Sequence, residues 1–244
     1  MKGKNGMTKK KHYEHHTKGL GANLEEFVYG AIDGTVTTFA VVAGVVGAQL
    51  APGIVLILGF ANLFADGFSM AASDFLSKRA NKQFIERERE RETWEVEHVP
   101  EEERDEIKKI YRKKGFTGKL LNNVVKVITS NKKRWVDVMM KEELGLLDGH
   151  KSALKSAILT FIAFLSIGFI PLFAYVMSYF NTFFASHTFL IASILTGATF
   201  LFIGFAKAEI VKKPLWKSGI ETLLVGGAAA AISYLVGVLL RWLA

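Results

Sequence analysis

The sequence predicts an all-α polytopic membrane protein: five transmembrane helices, with a cytosolic helical domain inserted between helices 2 and 3. Three observations predict it. Five segments, residues 31–50, 53–72, 157–179, 188–206 and 219–240, are nearly free of charge. Each reaches roughly 20 residues, the length a helix needs to cross a hydrocarbon core of about 30 Å. Next, fifteen of the 23 acidic residues fall within residues 86–148, one charged stretch with apolar segments on both sides. Finally, lysine and arginine avoid the connections at 49–53 and 179–187 and crowd into the N-terminal tail, the stretch 78–155 and the region of Lys207, Lys212, Lys213 and Lys217. The positive-inside rule then puts the N-terminus, the inserted domain and the connection between spans 4 and 5 in the cytoplasm. The C-terminus falls outside, as an odd number of spans requires. The net charge of +8 reports this topology and contact with anionic lipid, and no nucleic-acid partner is expected.

Residues 1–24 form a polar, basic tail in which His12, His15 and His16 sit beside Glu14. A disordered leader is the simpler reading, and a weak metal-binding tail the alternative. None of the apolar segments has the form of a cleavable signal peptide. No organelle presequence precedes the first span, so the expected host is a prokaryotic plasma membrane rather than a vacuolar one. Spans 1 and 2 (domain bounds 25–80) are joined at Pro52-Gly53, a turn pair that makes them an antiparallel hairpin. Span 2 meets no stop signal through residues 77–95 and is expected to continue as a rigid stalk.

The inserted domain, bounded at 81–150, reads as three or four helices. Proline breaks one at Val99-Pro100. A second spans 101–114 and ends at Gly115 as a C-cap. A third spans 117–128, with Leu120, Leu121, Val124, Val125 and Ile128 on one face. Ser130 or Asn131 caps the last, 132–144. So few residues bury only a small core, so the domain is expected to lean on its copy in a homodimer. Spans 3 to 5 occupy 151–244 and include a cytoplasmic turn at Lys212-Lys213-Pro214.

With no cysteine in the chain, disulfides, thiolate metal sites and thiol nucleophiles are excluded. No enzyme is expected: a di-iron oxidase of this shape needs a pair of Glu-x-x-His motifs, and the only histidines near the domain, His98 and His150, supply no convincing pair of them. Polar groups inside apolar spans are costly and mark function by default. Asp33, in Gly30-Ala31-Ile32-Asp33-Gly34, is the clearest, with capping of the first helical turn as its structural alternative. Span 2 carries Asn62, Asp66, Met70 and Asp74 at i, i+4 spacing, hence on one face. Small residues Ala61, Ala65, Ser69 and Ser73 form the next strip and admit a close helix neighbour. Glu221 in span 5 reads equally well as an interfacial residue. A carboxylate beside a thioether suits a borderline divalent cation such as Fe²⁺. Mg²⁺ and Ca²⁺ favour oxygen alone.

In the inserted domain Glu92 and Glu95, Glu103 and Glu106, and Met139 and Glu143 pair at i+3, i+3 and i+4. Inward glutamates of this kind build metal sites in bundles. From spacing alone, however, the run from Glu86 to Glu92 reads better as a solvated, salt-bridged helix.

The segment Glu26-Phe27-Val28-Tyr29-Gly30-Ala31-Ile32-Asp33-Gly34, followed by Thr37-Thr38-Phe39-Ala40, resembles the first span of the vacuolar iron transporter family. Phe68-Ser69-Met70 with Asp74-Phe75-Leu76 is similar to its second span, and residues 139–145 to the end of its cytosolic metal-binding domain. The resemblance implies a homodimeric, proton-coupled exporter of cytosolic Fe²⁺, with Mn²⁺ as a further substrate, and Co²⁺ and Zn²⁺ as ions to test. No resident cofactor is implied. Asp33 and Met70 would line the translocation path, with Asn62 and Asp66 along it and Glu26 near its cytoplasmic mouth. Glu92, Glu95, Glu103, Glu106, Met139 and Glu143 would be the domain's metal ligands. One position departs from the family: Asn62 stands where the second span has a glutamate, and Asp66, one turn on, is the candidate replacement. The rival reading is a membrane-anchored metal sensor or buffer that transports nothing.

Overall fold

A computed structural model describes residues 24–146 and 152–243, and every regular element among them is helical. The tail histidines therefore lie outside the described residues. In chain order the helices are α1 (Leu24–Gly47), α2 (Pro52–His98), α3 (Pro100–Lys113), α4 (Gly118–Thr129), α5 (Lys132–Glu142), α6 (Ala153–Gly168), α7 (Ile170–Met177), α8 (Thr182–Val211) and α9 (Leu215–Leu240), followed by a 3₁₀ turn at Arg241–Leu243. The chain divides into two compact units, Met1–Phe68 with Leu159–Ala244, and Ser69–Ile158. Both divisions fall inside helices, α2 and α6, rather than in a linker.

In the first unit α1 is the central helix, in contact with α7, α8 and α9. Glu25 and Glu26 occupy its first turn, where acids complement the positive end of the helix dipole. It buries Gly30, Ala31, Gly34, Thr35, Thr38, Val42 and Ala43, a stripe of small residues that lets neighbouring backbones approach closely. A Cβ on Gly34 would stand 2.6 Å from the Phe164 carbonyl oxygen of α6. On the α9 side, a Cβ on Gly237 would stand 2.1 Å from the Gly44 carbonyl oxygen, and Ser233 Oγ donates to the Ala40 carbonyl at 2.5 Å. Backbone has nowhere to yield there. Gly237→Leu should therefore destabilise the chain by about 3 kcal/mol or more, the upper end of overpacking costs. Gly227→Leu, with nothing within 4 Å of its Cβ, should leave thermal unfolding in detergent near the parental temperature.

Among the described residues, four single helices are long and apolar enough to cross a membrane: α1, α2, α8 and α9. A fifth span exists when α6 and α7 are taken as one, bent by 42°. The sequence reads 157–179 as one span. Pro171 accounts for the bend, because it removes an N–H from the ladder and its ring crowds the preceding turn. Only 11% of the most apolar stretch of α9 is buried, and Leu224, Val225, Leu235 and Leu239 stand exposed. Such a surface suits lipid and not water. The chain is a multi-pass integral membrane protein.

In the second unit, Val99 alone separates α2 from α3, and Pro100 opens the new helix. Gly115 at φ 95° closes α3, and Asn131 caps α5 by accepting from the Arg134 amide at 3.0 Å. The core is Ile85, Val96, Ile107, Ile128, Trp135, Val136, Met139 and Met140. Arg89 donates to Asp137 at 2.5 Å and so ties α2 to α5 at the surface.

Candidate functional site

Glu92 and Glu95 lie one turn apart on the last turns of α2, and Glu103 and Glu106 one turn apart on the first turns of α3. The one-residue turn at Val99 folds the two pairs against each other. One oxygen from each of Glu92, Glu95 and Glu103 lies within 4.8 Å of the others. A cation centred among them would sit within about 2.8 Å of each, so a small contraction reaches ordinary metal–oxygen distances. Glu92 and Glu103 are 3% and 5% exposed. Their Oε2 atoms are buried with no hydrogen-bond partner. Burial in the first place, then the neighbouring carboxylates, pushes Glu92 and Glu103 each up to about 7. Buried acids without a cation between them repel, and a divalent ion removes both penalties together.

Glu143, the C-cap of α5, shares a side-chain hydrogen bond with Glu106 and is raised by burial and by that neighbour. Of the six expected ligands the structure thus brings five carboxylates into one electrostatic group. Met139 is fully buried in the apolar core with Ile107 and Trp135. The run from Glu86 to Glu92 proves mixed. Glu86 and Glu88 face Lys82 and Arg91 in surface ion pairs, while Glu92 turns inward. Arg91 also holds Glu95, Nε to Oε1 at 3.1 Å.

In the first unit Asp33 lies more than two turns inside α1, which excludes the capping role that stood as its structural alternative. It is half-buried and close enough to Asp66 of α2 for the two carboxylates to interact. Asp33 opens onto a groove of about 470 Å³ with Leu24, Glu25, Val28, Tyr29 and Ile32 of α1 and Lys207 of α8. Glu26 is buried at 3% exposure, two turns before Asp33. Asn62 is half-buried, with its Nδ2 sealed from solvent and without a hydrogen-bond partner. Met70, half-buried, falls in the second unit, one helical turn beyond Asp66 along α2.

Sequence reasoning missed two features. Asp74 is held by Lys78 Nζ at 2.8 Å and by Ser156 Oγ, which donates at 2.5 Å, while Lys78 also donates to Ser156. This tie pins α2 to α6. Lys207 Nζ lies 4.0 Å from Glu221 Oε2, so Glu221 has a cationic neighbour on α8. The only available signal was a lone cation and a lone acid on successive apolar segments.

Fold and site together define a class: an all-helical, multi-pass membrane protein with carboxylates inside its spans and a buried carboxylate cluster beyond its apolar stretches. The chain belongs to the VIT family, whose model matches residues 24–238. It is 37% identical to the vacuolar iron transporter of Plasmodium berghei over 239 residues, 95% of this chain and 86% of the relative. It is 38% identical to the vacuolar iron transporter of Toxoplasma gondii over 236 residues, 94% of this chain and 78% of that one. Vacuolar iron transporter 1 of Arabidopsis thaliana is 33% identical over 229 residues, 91% and 88% of the two chains. These relatives are eukaryotic, and they lend no support to the prokaryotic plasma membrane expected from the sequence.

Proposed function

We propose that this protein exports Fe²⁺ from the cytoplasm in exchange for protons, with Mn²⁺ as a second substrate, and that it works as a homodimer. The observation that carries the reading is the placement of two carboxylates, Asp33 in α1 and Asp66 in α2, within apolar helices long enough to cross a membrane. A pure anchor has no use for such a pair, since ionisable groups at that depth are expensive. One cation between the two carboxylates relieves their repulsion, and so does one proton. Metal and protons therefore compete for the same site, which is the coupling an antiporter requires. With Asn62 in place of an acid, Asp66 is the second proton-titrating group in this reading. Met70 supplies the softer ligand that favours Fe²⁺ over Mg²⁺. Glu26 stands at the cytoplasmic mouth.

The inserted domain, residues 81–150, is cytosolic in this reading and collects the ion through Glu92, Glu95, Glu103, Glu106 and Glu143, with Met139 as a sulfur ligand. Its pH response follows from the shifts above. Glu92 and Glu103 hold protons below about 7, so protons displace metal on acidification. Mn²⁺ affinity of the whole solubilised chain should fall about tenfold per pH unit below 7 for each proton displaced. Titration calorimetry at pH 7.5, 6.5 and 5.5 measures this, and a flat profile would rule the cluster out as the binding site. The sign for the metal-free fold is the reverse of the usual carboxylate case. Both folded-state values lie above the unfolded one, so stability is greatest at low pH and is lost as pH rises from about 4.5 to about 7. Added metal should restore it above pH 7.

The proposed function is tested by Fe²⁺ and Mn²⁺ uptake into proteoliposomes with and without a pH gradient. A metal buffer or sensor would bind the ions and carry none across.

A further inference from the structure

Between Ile107 and Val136 the chain has ten lysines and arginines and not one acid. Part of that charge has local work. Lys114 pairs with Glu142 and lies over the Tyr111 ring, and Lys132 pairs with Glu97. The turn between α3 and α4, from Lys113 through Gly115, Phe116 and Gly118 to Leu120, does not fit that account. A Cβ on Gly115 or Gly118 would meet nothing within 4 Å, so the turn faces open space at those two positions, although Lys114 and Phe116 within it hold to Glu142 and Tyr111. Lys113 and Lys119 are exposed, and among the described residues neither has an ion-pair partner. Leu120 is 60% exposed beside them.

One rule for a solvated turn is broken here. The first turn of α4 carries Lys119 and no acid, although a cation at a helix N-terminus opposes the dipole. Leu120 stands exposed beside it. An anionic surface with an apolar layer behind it accommodates both the cation and the leucine.

The direction of the turn fits such a surface. The hairpin at Val99 brings Glu103 onto Glu92 and Glu95, and Ile107 shares a core with Ile85. α3 therefore runs back along α2 toward Ser69, the end from which α2 enters the unit. Ten residues past Glu103, at 1.5 Å of rise each, carry Lys113 about 15 Å in that direction. That is the level of Ile85, about 10 Å short of Lys78, the first cation after the apolar part of α2.

We propose that the α3–α4 turn docks on the anionic phospholipid headgroups of the protein's own bilayer, with Lys113 and Lys119 on phosphates and Leu120 inserted between them. The docked turn braces the carboxylate unit against the membrane. The inference rests on the assignment of the spans and not on the cargo, so the absence of metal flux would leave it untouched.

The chain has no cysteine, so Leu120→Cys gives one labelling position on the full-length protein. A fluorophore there is read in nanodiscs of phosphatidylcholine alone and of phosphatidylcholine with phosphatidylglycerol, against iodide in water and a nitroxide on the lipid. In the anionic discs the label should lose iodide quenching and gain nitroxide quenching. Lys113→Glu with Lys119→Glu should reverse this. Each cation near an anionic surface strengthens binding about fivefold, so losing two shifts the docked-to-free ratio at least about 25-fold. Equal iodide access in both lipid compositions, or quenching indifferent to the charge reversal, would overturn the proposal.

Discussion

Asp33→Ala reconstituted into proteoliposomes should carry Fe²⁺ on the order of a hundredfold more slowly than the parent, the upper end of losses when a group supporting a metal site is removed. The reason is local. Asp33 is a carboxylate deep in α1, it opens on a groove, and its charged neighbour is Asp66. In the proposed mechanism, removing it takes away a metal ligand and a proton carrier in one step. Asp33→Asn keeps shape and packing and should be as inactive, whereas Asp33→Glu should retain part of the flux. Mn²⁺ binding by the rest of the chain should be unchanged in all three, because the glutamate cluster is built entirely from the other unit. An active Asp33→Asn protein would mean that the residue serves packing only.

Glu103→Gln should move two readouts in opposite directions. Metal affinity of the cluster should drop at least about tenfold with the loss of one of three converging carboxylates. The metal-free protein should become more stable at pH 8, by about 1–3 kcal/mol, because a buried charge with no partner is replaced by a neutral group of the same size. Glu92→Gln should behave the same way, and the two gains should not add, since each relieves the same repulsion. Thermal unfolding in detergent without metal, beside a binding titration, gives both numbers. A variant that loses stability and affinity together would point to a structural role for the glutamates instead of a binding one.

How far the sequence could be read is clearest at these glutamates. The break at Val99-Pro100 and the caps at Gly115 and Asn131 stand within one or two residues of their expected places, because proline, glycine and asparagine act on the local backbone. The inward turn of Glu92 was hidden by the alternating run around it. Its phase carried the information: Ile85, Glu92 and Val96 are spaced seven and four apart, and both flanking residues are core. Glu103 stands likewise four residues before Ile107. An acid in phase with an apolar stripe is a better signal than two acids in phase with each other. The bend at Pro171 was legible in principle, since proline within a span predicts it. Contacts between distant segments were not legible, because nothing local reports that Ser156 meets Asp74 or that Lys207 meets Glu221. The span pair Asp33 and Asp66 lies between these cases. Cost in a membrane singled out each residue, and only the fold shows that the charge of one reaches the other.

The most direct test of the central claim is metal flux in proteoliposomes of the parental protein under an imposed pH gradient, with internal pH followed at the same time. The account predicts Fe²⁺ accumulation on the acidic side, a matching loss of protons from that side, and collapse of both when an ionophore dissipates the gradient. Metal that binds without crossing, or that crosses at the same rate with no gradient and moves no protons, would contradict it.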